Sequence, residues 1–398
     1  MTAPIYLDHN ATTPLADEVR VAMSRLLAES YGNPSSLHWA GLPARDAVEM
    51  ARSQVAALLC CDATEIVFTS GGTEANNYAI KGLFFARRAR AQPFHVITSQ
   101  IEHPAVLEPC RFLERLGAEV TRLPVNREGL VDPGDVRRAI RAGTALISIM
   151  HANNEVGTIQ PLLEITSIAH KHGIFVHTDA AQTVGKIPVD VEGLGVDLLS
   201  VAGHKLYGPK GVGALYIRDG LELEPLLHGA AHEAGRRAGT ENVIEIVGLG
   251  TACELARDWI DDISVTRLRD SLWRMLVASF GDRITLNGHL TERLPNTLNV
   301  SFVGRMGYDL LAQLPDIAAS TGAACHAGSM QLSPVLTAME VSEAGQLGAI
   351  RFSLGRQTTK EELEIVVSRL VDLCGQDRRS KSLFRGHVTS PPTDPNAN

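Results

Sequence analysis

Long apolar runs and basic clusters are both missing from this sequence of 398 residues. No stretch approaches the ~18 uninterrupted apolar residues of a membrane-spanning helix, and the first residues lack the charged and apolar regions of a secretory leader. The formal net charge is −8, and the short basic run at 87–90 is too small to form an electrostatic footprint for nucleic acid. We therefore expect a soluble protein that binds neither a membrane nor nucleic acid.

Cysteine is scarce and unpatterned. The six cysteines stand at positions 60, 61, 110, 253, 325 and 374, with no CxxC pair and no spacing typical of metal ligands. Disulfides form and persist in oxidising compartments. The cysteine pattern therefore favours a reducing, cytoplasmic setting and predicts no metal site.

The sequence does contain an alternation of short apolar runs with helical segments. The apolar runs lie at 66–69, 95–98, 145–149, 174–177 and 198–201, and a further run follows at 213–217. Strands that alternate with helices in this way form βαβ units. The alternation predicts an α/β fold in which helices cover both faces of a mostly parallel sheet.

The pattern changes near residue 256. A long charged helix is predicted at 256–279, and strands at 296–302 and 351–354 precede a last helix at 360–374. We expect a large domain at 15–255, a smaller α+β domain at 256–376, and an N-terminal arm at 1–14 that joins the smaller domain. Residues 377–398 have almost no apolar content, which predicts a disordered tail.

Polar residues follow several of the predicted strands, at the place where open α/β sheets bind ligands. Lys205 lies between glycines after the strand at 198–201. A desolvated lysine there can form a Schiff base, although a lysine in a surface turn is the alternative. Asp179 follows the strand at 174–177. An acid in that place can hold the proton on the ring nitrogen of pyridoxal 5′-phosphate (PLP), or it can cap the next helix.

Three further signals are weak when taken singly. Gly72 and Thr73 open a helix after the first of these strands, where backbone N–H groups suit a phosphate but also suit ordinary capping. His103 can stack on a flat ring and move protons, or it is a satisfied loop residue. Cys325 lies in a stretch of small residues beside His326. Its thiol is either an accessible nucleophile or an inert loop cysteine.

Ten motifs in a fixed order carry a family resemblance. They are Leu-Asp-His-Asn-Ala-Thr-Thr-Pro at 7–14, Gly-Asn-Pro-Ser-Ser at 32–36, Phe-Thr-Ser-Gly-Gly-Thr-Glu-Ala-Asn-Asn at 68–77, Glu-His-Pro at 102–104, Asn-Asn-Glu-Val-Gly at 153–157, His-Thr-Asp-Ala-Ala-Gln at 177–182, Gly-His-Lys-Leu-Tyr-Gly-Pro-Lys-Gly at 203–211, Arg-Ala-Gly-Thr-Glu-Asn at 237–242, Gly-Ala-Ala-Cys-His at 322–326 and Arg-Phe-Ser-Leu-Gly-Arg at 351–356. In these motifs the chain resembles the PLP-dependent cysteine desulfurases and selenocysteine lyases, within the class-V aminotransferase superfamily of PLP fold type I. The resemblance implies a large domain with a mostly parallel seven-stranded sheet and a smaller α+β domain.

The resemblance also implies how PLP is bound. Lys205 holds PLP in a Schiff base, Asp179 pairs with the pyridine nitrogen, and Gln182 contacts the ring oxygen. His103 stacks on the ring and moves protons. The phosphate is held by Gly72, Thr73 and His204, and the cofactor also touches Asn154.

The resemblance further implies the substrate chemistry and the partners. Arg351 and Asn154 grip the carboxylate of L-cysteine or selenocysteine, and Arg suits this bidentate task. Cys325 takes the sulfur as a persulfide with alanine as co-product, and passes it to a sulfur-acceptor protein. Thr240 reaches the phosphate of a neighbouring subunit, which implies a homodimer. The acceptor and its pathway, such as iron–sulfur cluster assembly or tRNA thiolation, stay open.

Three features depart from the family pattern. The Gly-Ala-Ala-Cys-His run at 322–326 and the Ser-Pro-Val-Leu run at 333–336 resemble selenocysteine lyases more than the housekeeping desulfurases, which leaves the substrate open. Residues 229–233 are Gly-Ala-Ala-His-Glu where a Gly-Gly-Gly-Gln-Glu run is usual, and Ala202 stands where a phosphate-binding serine is common. Ser200 lies two residues back on the same strand face, and whether it compensates stays open. Three functions remain: a cysteine desulfurase, which is favoured, a selenocysteine lyase that uses the same residues, and a non-catalytic PLP-fold scaffold. The presence of Lys205, Asp179 and Cys325 argues against the scaffold.

Overall fold

The computed structural model describes the backbone of residues 4–326 and 329–384 and the side chains of residues 4–322 and 331–374. No helix within these residues is long and apolar enough to cross a membrane. The helices of this part are α1 (Asp17–Glu29), α2 (Gly41–Leu59), α3 (Gly72–Asn77), α4 (Leu83–Ala89), α5 (Pro104–Glu114), α6 (Pro133–Ala139), α7 (Leu162–His170), α8 (Val191–Leu194), α9 (Val243–Trp259), α10 (Ser264–Phe280), α11 (Gly307–Ala312), α12 (Pro334–Ala338), α13 (Glu343–Leu347) and α14 (Lys360–Phe384). The strands are β1 (Ile5–Tyr6), β2 (Ile66–Thr69), β3 (His95–Ser99), β4 (Glu119–Leu123), β5 (Thr144–Ser148), β6 (Phe175–Asp179), β7 (Leu198–Ala202), β8 (Gly213–Ile217), β9 (Ile284–Asn287), β10 (Thr297–Phe302), β11 (Ile317–Ala318), β12 (Ser320–Thr321), β13 (Ala323–His326), β14 (Ser329–Leu332) and β15 (Ala349–Ser353).

The large sheet of the described residues has seven strands in the order β2-β8-β7-β6-β5-β3-β4. Neighbours from β7 to β4 pair in parallel, and β8 is antiparallel to both β2 and β7. All residues of β2, β3, β7 and β8 are buried, as expected for strands covered by helices on both faces. The predicted α/β fold with a mostly parallel seven-stranded sheet is confirmed.

A second sheet is formed by the C-terminal part of the chain, in the order β12-β15-β10-β9 with antiparallel pairing. Helix α10 packs Leu272, Leu276 and Phe280 into the core beneath this sheet, because residues four apart lie on one helix face. The N-terminal arm joins the same core, since β1 pairs in parallel with β11 and Ile5 is buried there. The division into domains at 15–255 and 256–376 stays a prediction.

Three predicted elements need correction or extension. The single helix predicted at 256–279 is wrong, because α9 ends at Trp259 and α10 begins at Ser264. Between them the chain turns, and the Asp262 carboxylate accepts a hydrogen bond from the backbone N–H of Ser264, the first residue of α10, at 2.8 Å. The loop predicted around Cys325 has the backbone of a hairpin, β13 paired with β14. Helix α14 runs to Phe384, beyond the predicted end at 374, and residues 385–398 of the predicted tail lie outside the described residues.

The topology brings five loops to one edge of the large sheet. Because β8 is antiparallel to both β2 and β7, β2 runs in the same direction as the parallel strands. The segments that follow β2, β3, β5, β6 and β7 therefore leave the sheet at the edge formed by the strands' carboxyl ends, where open α/β sheets bind ligands.

Candidate active site

A cavity of about 380 Å³ lies at this edge, a size typical of small-molecule sites. Nine of the predicted site residues line it: Gly72, Thr73, His103, Asn154, Asp179, Gln182, His204, Lys205 and Arg351. These residues come from separate parts of the chain, so the fold rather than the local sequence brings them together.

Lys205 stands in a 3-10 turn, Gly203–Lys205, directly after β7. Its Nζ donates hydrogen bonds to the backbone oxygens of Asn10 at 2.6 Å and Ala11 at 2.7 Å. Burial, and next the charge of Arg351, lowers the pKa of Lys205 from 10.5 to about 8, against the opposing effect of Asp179. A larger share of the amine is therefore neutral and nucleophilic near neutral pH than in an ordinary lysine.

Asp179 ends β6 and is 8% exposed. Its Oδ2 accepts a hydrogen bond from Asn76 Nδ2 at 2.6 Å, and its Oδ1 accepts one from the Ala181 backbone N–H at 3.0 Å. Gln182 follows in the same turn, and its Nε2 donates to the Asn10 backbone oxygen at 3.0 Å. The carboxylate and the amide are thus held at the cavity wall in defined orientations.

His103 caps α5, and its Nδ1 accepts a hydrogen bond from the Ala105 backbone N–H at 3.1 Å. Burial lowers the pKa of His103, and of the two nearby charges Asp179 raises it while Lys205 lowers it. A neutral ring that accepts at Nδ1 carries its proton on Nε2. His103 therefore presents an N–H donor at its free ring nitrogen.

The phosphate-binding candidates lie at the start of α3. Gly72 and Thr73 are its first residues, where backbone N–H groups have no partner within the helix. A Cβ added to Gly72 would lie 3.2 Å from Ala202 Cβ, so the small residues keep this end of the cavity open. His204 Nδ1 lies 3.1 Å from Thr12 Oγ1. Burial, and next Lys205, lowers the pKa of His204 to about 4, which keeps its ring neutral.

Ser200 does not supply the hydroxyl that Ala202 lacks. Ser200 is fully buried, and its Oγ lies 3.0 Å from His177 Nε2, within the sheet rather than at the cavity. His177 Nδ1 in turn lies 2.8 Å from Ser148 Oγ. The Ser200 hydroxyl therefore belongs to a buried chain of hydrogen bonds across three strands, and the departure at Ala202 has no counterpart there.

Arg351 projects from β15 and is 8% exposed. Its Nη1 donates to the Asn154 backbone oxygen at 2.9 Å, and its Nη2 donates to Asp8 Oδ1 at 2.7 Å and to Ser320 Oγ at 2.9 Å. Its buried Nε has no hydrogen-bond partner among the described residues. A buried guanidinium with a free donor suits a carboxylate ligand.

The segment at 229–233, which departs from the family pattern, is anchored by its last residue. Glu233 is buried and accepts two hydrogen bonds from Arg52, at 2.7 and 2.8 Å, and one from the Phe68 backbone N–H at 2.9 Å. Glu233 and Ala234 both have positive φ, 49° and 55°, a strained conformation for non-glycine residues. The ion pair thus fixes a tight turn beside β2.

Thr240 is exposed and does not line the cavity. Its segment is nevertheless tied to the start of α3, because Arg237 Nε donates to Glu74 Oε1 at 3.0 Å in the first turn of that helix. The predicted contact of Thr240 with the phosphate of a neighbouring subunit stays a prediction.

The side chain of Cys325 lies outside the described residues, but its backbone is placed. Strand β12 ends at Thr321 shortly before β13, and in β12 Ser320 pairs with Arg351 of β15. Five residues of extended chain span at most about 17 Å, so Cys325 is tethered close to Arg351. The far end of the hairpin is fixed too, since Ser333 Oγ donates to Glu155 Oε2 at 2.6 Å.

Three of the other thiols are poor nucleophiles, because burial raises their pKa. Cys110 is fully buried in α5, and burial raises its pKa to about 12. Burial also raises the pKa of Cys61 to about 12 and that of Cys253 further. Few of these thiols are ionised at neutral pH.

Sequence reasoning missed four residues of this site: Asp8, Asn10, Asn76 and Lys186. Asn10 accepts from Lys205 and Gln182 through its backbone oxygen, and Asn76 orients Asp179. Lys186 Nζ donates to Gln182 Oε1 at 2.7 Å and to Asn10 Oδ1 at 3.2 Å. Asp8, Asn10 and Asn76 lie inside the family motifs at 7–14 and 68–77. Their place in these motifs is the only signal in the sequence that could have identified them.

Comparisons with known proteins agree with this geometry. Residues 5–366 match the family model described as "Aminotransferase class-V". A protein of Dictyoglomus turgidum named "Cysteine desulfurase IscS" is 51% identical over 379 residues, which cover 94% of this chain and 95% of the relative. A solved structure titled "NIFS-LIKE PROTEIN" superposes with a TM-score of 0.87 at 39% identity and covers 94% of this chain and 99% of its own. Another, "SspA in complex with cysteine", has a TM-score of 0.78 at 39% identity and covers 89% of this chain and 99% of its own. The chain belongs to the class-V aminotransferase family.

Proposed function

We propose that this protein is a PLP-dependent cysteine desulfurase. It converts L-cysteine to L-alanine and keeps the sulfur as a persulfide on Cys325. The observation that carries the proposal is Lys205, whose amine has a lowered pKa and lines a cavity that Asp179 and Arg351 also line. The relatives named cysteine desulfurase, and the neighbour solved with cysteine, support this substrate over selenocysteine.

The residues present fit PLP. Lys205 Nζ is the amine that holds the cofactor covalently, and the Asp179 carboxylate is the partner for its ring nitrogen. Gly72 at the start of α3 leaves room that a Cβ would fill, which suits a phosphate near Thr73 and His204. Bound there, PLP supplies an electron sink for negative charge that develops at the α-carbon of the substrate.

Two side chains divide the proton transfers. When the substrate amine displaces Lys205 from the cofactor, the freed Nζ would accept a proton, and the lowered pKa of Lys205 in the PLP-free cavity favours its neutral form. His103 is the complementary donor, since its Nδ1 is occupied by the Ala105 N–H and its neutral ring carries the proton on Nε2. The pair therefore provides a base and an acid in one cavity.

Arg351 and Asn154 hold the substrate. Arg351 lines the cavity and offers its guanidinium to the substrate carboxylate, and the contact between Arg351 and the backbone of Asn154 keeps the guanidinium in place. Asp8 balances the charge of Arg351. These contacts orient L-cysteine with its carboxylate at Arg351. The strand of Arg351, β15, pairs with β12, and β12 leads to the Cys325 hairpin.

Cys325 completes the reaction. Its thiolate attacks the substrate sulfur, a sulfur–sulfur bond forms as the carbon–sulfur bond breaks, and the remaining skeleton leaves as alanine. Thiolate attack needs a deprotonated thiol, for which His326 is the adjacent candidate. The persulfide is then passed to a sulfur-acceptor protein. Cys325 suits this transfer because it lies in a hairpin between two anchored ends.

The active form in this proposal is a homodimer in the cytoplasm. Thr240 does not line its own cavity, which supports a role at the phosphate of the partner's site. Leu37 and Trp39 are 79% and 77% exposed, and Trp39 contacts the exposed Tyr31 edge-on. An apolar surface of this kind is typical of an interface. The free state of the described cysteines supports a reducing compartment.

The test starts from purified protein supplied with PLP. We expect the visible absorbance band of a PLP–lysine adduct, and we expect K205A to lose the band that resists dialysis, together with alanine formation. A wild-type protein that gains no band with added PLP would contradict the cofactor assignment. Selenocysteine is assayed in parallel, and turnover of selenocysteine alone would replace the desulfurase by the lyase.

A further inference from the structure

Lys186 is a half-buried lysine whose amine the proposed reaction does not use. It lies in the turn after β6, and Gly185 before it has a φ of 75° that a side chain would rarely adopt. Trp259 Nε1 donates to the Gly185 backbone oxygen at 3.0 Å and holds this turn in place. The direction of the Lys186 side chain, into the protein, is therefore set by the backbone.

The hydrogen bonds of Lys186 go to two amide oxygens. Its Nζ donates to Gln182 Oε1 at 2.7 Å and to Asn10 Oδ1 at 3.2 Å. Nζ is the donor in both contacts, so each amide turns its carbonyl oxygen toward Lys186 and its NH2 group away. For Gln182 this turns Nε2 toward Asn10 and the cavity.

The side chain of Asn10 uses its full hydrogen-bonding capacity. Its Oδ1 accepts from Lys186 and from Asn296 Nδ2 at 3.0 Å, and its Nδ2 donates to Thr297 Oγ1 at 2.8 Å and the Asn154 backbone oxygen at 3.1 Å. A fully bonded amide is held in one orientation. The backbone oxygen of the same residue accepts from Lys205 Nζ, so the Lys186 contact also steadies the acceptor that positions Lys205.

The charged form of the Lys186 amine is unfavourable in this position. Burial, then the charges of Lys205 and Arg351, lowers the pKa of Lys186 well below its ordinary value. The other titratable groups that face it are His9 and His204, with Asp262 and Arg356 at the small cavity on its far side. Perturbed groups of this kind concentrate at functional sites.

We propose that Lys186 is a positioning residue for the cofactor site: it fixes the Gln182 amide with Nε2 as a donor toward the cofactor's ring oxygen, and it holds Asn10 against Lys205. This inference rests on the PLP site proposed above. A donor at the ring oxygen stabilises the ionised oxygen and so weakens the hold of that oxygen on the proton of the PLP–lysine adduct. Loss of the donor is therefore expected to raise the apparent pKa of the visible band.

The experiment is a spectrophotometric pH titration of the PLP-loaded protein without substrate. We expect K186M to raise the apparent pKa of the band by about one pH unit and to weaken PLP binding about 5–10-fold, as loss of one hydrogen bond would. The conservative K186R variant is expected to keep the band pKa close to the wild-type value. K171M, which replaces an exposed lysine of the same large unit, is expected to behave as wild type. Thermal unfolding of each variant reports whether it folds.

A double-mutant cycle with Q182A separates positioning from packing. If Lys186 acts through Gln182, K186M in the Q182A background changes the band pKa little beyond the Q182A value. Fully additive shifts, or a K186M band pKa equal to wild type, would overturn the proposal. If K186M does not fold, K186Q is titrated instead and the same criteria apply. A wild-type protein without any band would contradict the PLP site itself, which is a separate outcome.

Discussion

The lowered pKa of Lys205 predicts an unusually reactive amine in the PLP-free protein. With a pKa of about 8, roughly a quarter of the amine is neutral at pH 7.5, against roughly 0.1% for an ordinary lysine near 10.4. The expected gain in reactive amine is therefore about 200-fold. Burial is the largest cause, so the effect requires the folded cavity.

Two substitutions are expected to move this pKa in opposite directions. The charge of Arg351 lowers the pKa of Lys205 and that of Asp8 raises it. R351M should raise the pKa, because a repelling charge is lost and Asp8 is left unbalanced. D8N should lower it, because an attracting charge is lost and Arg351 is left unbalanced.

Competitive acylation with acetic anhydride measures the effect. PLP-free protein is labelled briefly at a series of pH values, and the peptides that contain Lys205 and the exposed Lys171 are quantified by mass spectrometry. Labelling of Lys205 should rise with pH, reach half its maximum near pH 8 and level off above about pH 9. A curve that still rises at pH 10, or shifts of the same sign in R351M and D8N, would refute the reasoning.

Three further predictions concern stability, cofactor affinity and substrate binding. E233Q should destabilise the protein by about 1–3 kcal/mol, because the buried Arg52 loses its buried carboxylate partner and keeps only the exposed Glu49, whereas E222Q, at an exposed pair, should cost less than about 1 kcal/mol; equal melting temperatures would contradict this. A202S should bind PLP about 5-fold more tightly by equilibrium dialysis, since one phosphate hydrogen bond is worth about 1 kcal/mol; unchanged affinity would mean that no phosphate lies there. R351K should raise the KM for L-cysteine about 10–100-fold with normal PLP content, because the planar guanidinium fork is lost; an unchanged KM would remove Arg351 from the substrate site.

Much of the large sheet was predictable because its strands are short apolar runs. The strands Ile66–Thr69 and Gly213–Ile217 were predicted with their observed bounds, since every residue in them is buried and turn residues flank them. Strand β4 was missed because it is an edge strand with only Leu123 buried, so its sequence shows no apolar run. The break between α9 and α10 is only four residues long, at 260–263, and charge patterning alone does not reveal so short an interruption.

The site was predictable where a residue carries chemistry of its own. Lys205, Asp179 and His103 are titratable groups after strands, and the fold brings them to one cavity. Asn10 and Lys186 could not be found in this way, because their importance comes from contacts between segments far apart in the chain. The predicted role of Thr240 likewise requires a second subunit, and that prediction stays untested.

Persulfide formation at Cys325 is the most direct test of the proposed mechanism. PLP-loaded wild-type, C325A and C110A proteins are incubated with L-cysteine, alanine is quantified, and the peptide that contains Cys325 is examined by mass spectrometry before and after reduction. The account predicts a reductant-labile sulfur adduct on Cys325 in wild type and C110A, with one alanine for each sulfur. C325A should retain the PLP band and release no alanine. Alanine release by C325A at the wild-type rate, or an adduct on Cys110 instead, would contradict it.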